Sequence, residues 1–183
     1  MIRPTASFVG PLVSLRQFNL DDVPAVTAAC QDPEIFRWTA SIPYPYEEAH
    51  ARSWIAQHDR FWSSSERAPF AIVSSTTGEF LGNISITSFD WAERTAMAGY
   101  WVAKHARGEG VATSALEMMC EWAFQTLDLS AIVLYTLIGN RASERVAEKA
   151  GFLATELLDD YRHPATPDVG VQATRWTIYR SGS

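Results

Sequence analysis

Residues 99–127 constrain the fold of this chain more than any other stretch, because they combine a strand, a glycine-bearing loop and a long helix. Residues 96–102 are apolar and strand-like, and the loop after them carries Arg107, Gly108 and Gly110. Apolar residues then recur at helical spacing: Ala112, Leu116, Met119, Ala123 and Leu127. A helix N-terminus exposes unpaired backbone N–H groups, and glycines let a phosphate approach them closely. The stretch therefore predicts a binding site for a phosphorylated ligand. The alternative is a tight turn with a purely structural role.

Two common nucleotide-binding motifs are excluded at this loop. No Gly-Lys-Ser/Thr follows it, which argues against a P-loop NTPase. The dinucleotide-binding pattern Gly-x-Gly-x-x-Gly also fails, because Thr113 stands where the third glycine would be.

Composition narrows the class of protein. The 183 residues, 47% of them hydrophobic, fit a single domain over residues 1–183 with a sizeable core. A formal net charge of −6 argues against a nucleic-acid partner, and no apolar run approaches a membrane span. Cys30 and Cys120 lie far apart and form no metal-type pair, so we expect reduced thiols and no metal. Because the N-terminus lacks a signal-peptide region, the expected location is cytoplasmic.

The patterns along the chain predict an alternation of strands and helices. The predicted strands are 12–18, 70–74, 80–89, 96–102, 131–137, 152–158 and 174–179. The predicted helices are 23–30, 32–37, 47–62, 110–127 and 140–150. Residues 1–10 are expected to be a loosely held lead-in, and residues 159–170 a polar loop.

Residues 38–46 form an aromatic segment that two prolines keep extended. Its aromatic side chains are Trp38, Tyr44 and Tyr46. They either plug the edge of the core or form one wall of an acceptor groove, where aromatic faces can receive a cationic amine.

The order of several motifs makes the chain similar to a known family. Arg107-x-x-Gly110-x-Ala112, between a strand and a helix, resembles motif A of the GCN-five-related N-acetyltransferase (GNAT) superfamily. Asn140-x-x-Ser143 and the Lys-Ala-Gly-Phe at 149–152 resemble its ribosomal-protein (Rim-type) branch. The resemblance implies one GNAT-type domain of the α/β (α+β) class, with a single mixed, mostly antiparallel sheet flanked by helices: the acyl-CoA N-acyltransferase fold.

The same resemblance implies the cosubstrate acetyl-CoA, no metal, and direct transfer of the acetyl group to a primary amine. Backbone groups of Trp101, Val102 and Ala103 would pair with the pantetheine arm as an added strand. The loop and first helical turn would hold the pyrophosphate through Arg107, Gly108, Glu109, Gly110, Val111 and Ala112, with the hydroxyl of Thr113 in addition.

Two of the implied residues have a second interpretation. The Arg107 side chain either orders the loop or attracts the phosphates. Asn140 caps a helix, contacts the pantetheine end of the cosubstrate, or does both. Ser143 would lie near the thioester sulfur.

The acid and base of the reaction are not evident in the sequence. Many family members supply the acid from a tyrosine at the position of Ala147, which leaves Ser143 as the candidate catalytic residue. Met97 stands where the Rim-type branch often has glutamate. Candidate bases are Tyr135, Asp90, Glu93, Glu156, Asp160 and His163.

The lack of an evident strong base favours an acceptor amine with a low pKa. An α-amine has a pKa near 8, whereas deprotonating a lysine at pH 7 costs about four kcal/mol. The expected function is therefore acetyl transfer to a protein or peptide N-terminal α-amine or to a small amine. An antibiotic or polyamine acetyltransferase and a non-catalytic acyl-CoA-binding module stay open, as does a homodimer.

Overall fold

One eight-stranded sheet organises the chain. The computed structural model describes residues 7–39, 41–163, 166 and 168–180. The strands are β1 (Ser7–Val9), β2 (Val13–Arg16), β3 (Arg67–Ser74), β4 (Phe80–Asp90), β5 (Thr95–Val102), β6 (Ala131–Leu137), β7 (Leu153–Arg162) and β8 (Gly170–Tyr179). The helices are α1 (Val23–Cys30), α2 (Pro33–Trp38), α3 (Glu48–Ile55), α4 (His58–Ser64), α5 (Val111–Thr126) and α6 (Arg141–Lys149).

The sheet is mixed and mostly antiparallel, as the sequence predicts. Its strand order is β1-β2-β3-β4-β5-β6-β8-β7. Only β5 and β6 run parallel to each other, and the other neighbouring strands of the sheet are antiparallel. Helix α5 is the crossover that the parallel pair requires.

Two apolar clusters cover the two faces of the sheet. Alternate residues of a strand point to opposite faces, so Val102 packs in one cluster and Trp101 in the other. The α5 stripe, including the fully buried Leu116 and Met119, covers the first face. Residues of α1 and α3 such as Val26 and Ala51 cover the second. Burying each large apolar side chain contributes about 1.5–3 kcal/mol.

Strands β5 and β6 part after a short stretch of pairing. Their ladder joins Thr95–Met97 to residues 131–133 and goes no further. Beyond that point, residues 98–102 of β5 pair with β4 on one side and, among the residues that the structure describes, have no strand partner on the β6 side. The divergence opens a cleft in the middle of the sheet, next to the N-terminus of α5.

The helix predicted over 47–62 is wrong, because it is two helices. Helix α3 ends at Ile55, with Ala56 as its C-cap, and α4 begins at His58. Ile55 packs in the cluster with α1, whereas Trp62 packs against Phe70 in the other cluster. The chain has to turn between them to serve both clusters.

The loop predicted over 159–170 is also wrong in extent. Strand β7 continues to Arg162, which pairs with Gly170 at the start of β8. Because β7 is an edge strand with mostly exposed side chains, its ladder forms without apolar alternation. The lead-in predicted over 1–10 likewise contains β1, and residues 1–6 of it lie outside the described residues.

Candidate functional site

A cavity of about 1390 Å³ lies where β5 and β6 part. Its wall includes β5, the loop before α5, the first turns of α5 and α6, and the aromatic segment after α2. Residues predicted from distant parts of the sequence therefore meet at one place. Tyr44 does not line it: that ring is 52% exposed and lies 5.5 Å from the ring of Phe36.

The free edge of β5 offers backbone hydrogen-bonding groups to the cavity. Trp101 and Val102 are buried in β5 and pair with Asn83 and Gly82 on the β4 side. The Ala103 N–H donates to the Leu81 carbonyl at 2.8 Å. Backbone groups on the opposite edge need partners, and an extended amide-containing ligand can supply them as an added strand.

The N-terminus of α5 is open toward the same cavity. Gly110 is its N-cap, with φ +80°, and no side chain caps the helix. The N–H groups of Val111, Ala112 and Thr113 therefore lack intrahelical partners, and all three residues line the cavity. Such a turn binds phosphate through its N–H groups and the helix dipole.

Two other loop residues differ in exposure to the cavity. Gly108, with φ +86°, lines it and has nothing within 4 Å of the position a Cβ would take. Glu109 is exposed and is not part of the described wall.

Arg107 holds the loop to the rest of the fold. Its Nε donates to the Val102 carbonyl at 3.0 Å, and its Nη1 lies 2.8 Å from Oδ2 of Asp32. Asp32 is the N-cap of α2 and accepts from the Glu34 N–H. These contacts favour the loop-ordering interpretation of Arg107, while the residue still lines the cavity.

The N-terminus of α6 brings two predicted residues together. Asn140 is the N-cap, and its Oδ1 accepts from the Ser143 N–H at 3.2 Å. Both residues line the cavity, so the cap does not remove Asn140 from the site.

Tyr100 is a site residue that the sequence reasoning missed. Its hydroxyl lies 2.8 Å from the Ser143 hydroxyl, across the cleft from β5 to α6. Burial raises the pKa of Tyr100 to about 12, and the bond to Ser143 opposes part of that rise. The phenol is therefore neutral at physiological pH and can donate a proton into a hydroxyl pair. Its position in the Gly-Tyr-Trp motif could have indicated from the sequence that Tyr100 belongs to the site.

Trp38 and Tyr46 also line the cavity. The Trp38 Nε1 donates to Glu34 Oε2 at 3.0 Å, and the Arg37 guanidinium lies 4.7 Å from the indole centroid. Tyr46 is 5% exposed and packs in the α1 and α3 cluster, where burial raises its pKa. Tyr46 therefore packs at the edge of the core and also lines the cavity.

Polar residues on β4 form another part of the cavity lining. Asn83, Ser85 and Thr87 alternate with apolar residues, are buried, and line the cavity. Asn83 Oδ1 has no hydrogen-bond partner among the described residues. A buried, unpaired amide facing a cavity is suited to a ligand with a matching polar group. The polar alternation on an otherwise buried strand was its sequence signal.

The six candidate bases separate into two groups. Tyr135 and His163 line the cavity. The Tyr135 ring stacks on Tyr161 at 4.3 Å, and burial followed by the charge of Arg67 lowers the pKa of His163.

The four carboxylates lie elsewhere. Asp90 accepts from the N–H groups of its own turn, and Glu93 is exposed. Glu156 and Asp160 lie near Arg175 and Arg162. None of these four lines the described cavity; the carboxylates that do are Glu34, which accepts from Trp38 Nε1, and Glu66, which lies 3.9 Å from Arg60.

Comparison with known proteins identifies the family. The sequence profile described as "Acetyltransferase (GNAT) domain" matches residues 13–153. The chain belongs to the GNAT acetyltransferase family. Its relatives include "Putative ribosomal N-acetyltransferase YdaF" of Bacillus subtilis (strain 168), with 37% identity over 76 residues, a match that covers 42% of each protein.

Solved structures share the fold. A structure from Vibrio cholerae superposes with a TM-score of 0.84 at 19% identity and covers 98% of this chain and 100% of that one. Mycobacterium smegmatis RimJ, solved in complex with CoA-disulfide, gives 0.81 at 26% identity over 94% and 87% of the two chains. The expected acyl-CoA N-acyltransferase fold is confirmed.

The site of this GNAT acetyltransferase fits acetyl-CoA. The free β5 edge and the uncapped α5 turn match an amide-containing arm that ends in phosphates. Within the described ranges, no three His, Cys, Asp or Glu residues could hold a metal ion. None of the helices described is both long and apolar enough to span a bilayer.

Proposed function

We propose that this GNAT acetyltransferase uses acetyl-CoA to acetylate the N-terminal α-amine of a peptide or protein. The observation that carries the proposal is the single cavity in which the free β5 edge, the open α5 turn and the apolar side chain of Met97 meet. The relative named as a ribosomal N-acetyltransferase supports a protein acceptor and, with it, a cytoplasmic location.

Acetyl-CoA supplies the activated acetyl group, and the residues of this chain hold and orient it. In the proposal, backbone groups of Trp101, Val102 and Ala103 pair with the pantetheine arm. The N–H groups at residues 107–113 hold the pyrophosphate, and the Asn140 amide contacts the arm where it reaches α6.

The Tyr100–Ser143 hydroxyl pair is the proposed proton source for the departing thiolate. When the Tyr100 O–H donates to Ser143, the Ser143 proton is free to point into the cavity. A thiol has a pKa of about 8.5, so a hydroxyl donor of this kind needs to contribute only modestly.

The wall composition supports an α-amine acceptor. At pH 7, removing the proton of an α-amine costs about 1 kcal/mol, compared with about 4.6 kcal/mol for lysine. Met97 has no titratable group to offset the larger cost, and the two glutamates of the described wall lie against Trp38 and Arg60, whereas water or the neutral imidazole of His163 suffices for the smaller cost.

Calorimetry with acetyl-CoA tests the cosubstrate seat. Gly110→Trp fills the open turn at a positive-φ position. Gly78→Trp is the matched control, because Gly78 has φ +74° and lies in a hairpin turn away from the cavity. We expect the wild type and Gly78→Trp to bind and Gly110→Trp to lose binding. Equal affinity of the wild type and both variants for acetyl-CoA would contradict the proposed phosphate-binding site at the α5 N-terminus.

Release of CoA with a panel of amines then tests the reaction. We expect turnover with peptides that have a free N-terminus and little with N-blocked peptides that carry a lysine. Turnover limited to polyamines or aminoglycosides would replace the peptide acceptor, and binding without turnover on any amine would identify a non-catalytic module.

A further inference from the structure

We infer that Arg67 binds an anionic group of the acceptor, so that this enzyme prefers amines that carry a carboxylate about 5–8 Å away. The inference rests on the proposed function, because it concerns the acceptor of the same site. In a peptide acceptor, the carboxylate is the side chain of an acidic residue at the second or third position.

The sheet register places Arg67 on the acceptor wall. Arg67 pairs with Thr87, and Thr87 pairs with Met97, so the three residues form one row across β3, β4 and β5. Residues paired in this way project from the same face of a sheet, and all three line the cavity. Met97 is the last β5 residue that pairs with β6, so this row lies next to the point where the two strands part.

The charge of Arg67 is only weakly compensated by the protein. Within the described part of the chain, Arg67 forms no ion pair; its guanidinium lies 5.5 Å from the centroid of the Phe61 ring. The adjacent Glu66 is exposed and lies 3.9 Å from Arg60. Burial lowers the pKa of Arg67, with Glu66 partly opposing that change. A partly buried cation without a close anion attracts one.

The charge of Arg67 acts on the titratable groups around it. Its charge contributes to lowering the pKa of both His58 and His163, and His163 lines the same cavity. The same field would lower the pKa of an acceptor ammonium nearby, which favours the neutral amine that must attack.

The sheet geometry gives the distance expected between the anionic group and an acceptor amine that occupies the open space at Gly99. With strands about 4.8 Å apart and about 3.3 Å per residue, the Cα atoms of Arg67 and Gly99 are about 12 Å apart. Gly99 faces open space: nothing lies within 4 Å of the position its Cβ would take. An arginine side chain covers about half of the distance, which leaves about 5–8 Å. The α-carboxylate of a free α-amino acid, within about 4 Å of its amine, is too close.

The test uses paired acceptors that differ by one charge. The peptides Ala-Glu-Ala-Ala and Ala-Ala-Glu-Ala, as C-terminal amides, are compared with their Gln counterparts. The small-molecule arm compares 6-aminohexanoate with hexylamine, which distinguishes a small amino acid from a peptide as the source of the carboxylate. The readout is kcat/KM from CoA release.

The variants are Arg67→Gln and Arg67→Lys, with Arg60→Gln as the matched control. Arg60 also lies over the Phe61 ring, at 5.3 Å, but is largely exposed and does not line the cavity. We expect the wild type and Arg60→Gln to prefer the acidic acceptor by at least about tenfold. Arg67→Gln should lose that preference, measured as the ratio of kcat/KM for the acidic and the neutral acceptor, and Arg67→Lys should retain part of it.

The outcomes separate the inference from the proposed function. Equal rates for acidic and neutral acceptors with the wild type, or a preference that survives in Arg67→Gln, would overturn the inference and leave acetyl transfer intact. No CoA release with any amine would overturn the proposed function and the inference together. Acetyl-CoA binding and thermal unfolding of each variant show that it is folded.

Discussion

The hydroxyl pair of Tyr100 and Ser143 is the feature of this site that depends on single atoms. Tyr100 comes from β5 and Ser143 from the first turn of α6, and they meet at 2.8 Å across the cleft. A buried tyrosine without this partner would leave its O–H unsatisfied. The pair therefore joins the two sides of the cavity and places a proton at the wall.

We expect Ser143→Ala and Tyr100→Phe each to lower kcat by roughly 10–100-fold, because each removes one hydroxyl of the proposed proton path. Acetyl-CoA affinity by calorimetry should change by no more than about twofold, since neither hydroxyl is proposed to hold the cosubstrate.

The double variant tests whether the two hydroxyls act together. Substitutions within one chain of hydrogen bonds do not have additive effects on the activation free energy. The double variant should therefore be about as slow as Ser143→Ala alone. Ser114→Ala, on α5 outside the described cavity wall, is the control. Multiplicative losses would mean that the two residues act independently.

At the scale of elements, helix N-termini provide the binding groups. Helix α5 has no side-chain cap, and its first N–H groups are left for a ligand. Helix α6 is capped by Asn140, whose side chain still faces the cavity. The two helices thus present different amounts of free backbone to the same cleft.

Asn140 allows capping and binding to be separated. Asn140→Ala should lower the free energy of unfolding by about 1 kcal/mol, because the Ser143 N–H loses its acceptor. Asn140→Asp retains the accepting oxygen and should preserve stability, yet both variants should bind acetyl-CoA more weakly through loss of the side-chain N–H donor. Urea unfolding and calorimetry on the same samples measure the two effects. Full affinity in Asn140→Asp would assign the residue to capping alone.

At the scale of the whole molecule, His58 couples stability to pH. His58 is 5% exposed, and both ring nitrogens are buried without hydrogen-bond partners among the described residues. Its ring packs edge-on against Trp54 at 4.4 Å and Phe18 at 5.0 Å. Burial, followed by the charge of Arg67, lowers the pKa of His58 to about 4, although Asp22 opposes the shift.

The unfolded chain binds a proton at His58 near pH 6.5, whereas the folded protein does so only near pH 4. Stability is therefore lost as the pH falls from 6.5 to 4, by about 3 kcal/mol from this residue. We expect His58→Leu to flatten that part of the curve of unfolding free energy against pH.

Urea unfolding at several pH values between 7.5 and 4 measures the effect. His105→Gln is the control, because the His105 side chain is 55% exposed and lies 3.3 Å from Glu79. A slope that is the same in the wild type and in His58→Leu would show that other groups cause the acid sensitivity.

The sequence by itself determined the elements whose signal is local. The α5 stripe, the glycine loop before it and the Asn140 cap follow from spacing and backbone preference, which act over a few residues. The order of the motifs resembles that of a known family, and this resemblance was enough to predict the family and the mixed sheet.

Only the tertiary structure decided what depends on register and on the parting of strands. The row from Arg67 to Met97, the Tyr100–Ser143 bond and the unpaired Asn83 join residues from separate elements. The break between α3 and α4 likewise follows from two clusters on opposite faces of the sheet. The residue pattern of a strand predicts which of its side chains share a face. Which residue of the neighbouring strand lies beside each of them depends on the register of the two strands, and the sequence of one segment alone does not determine that register.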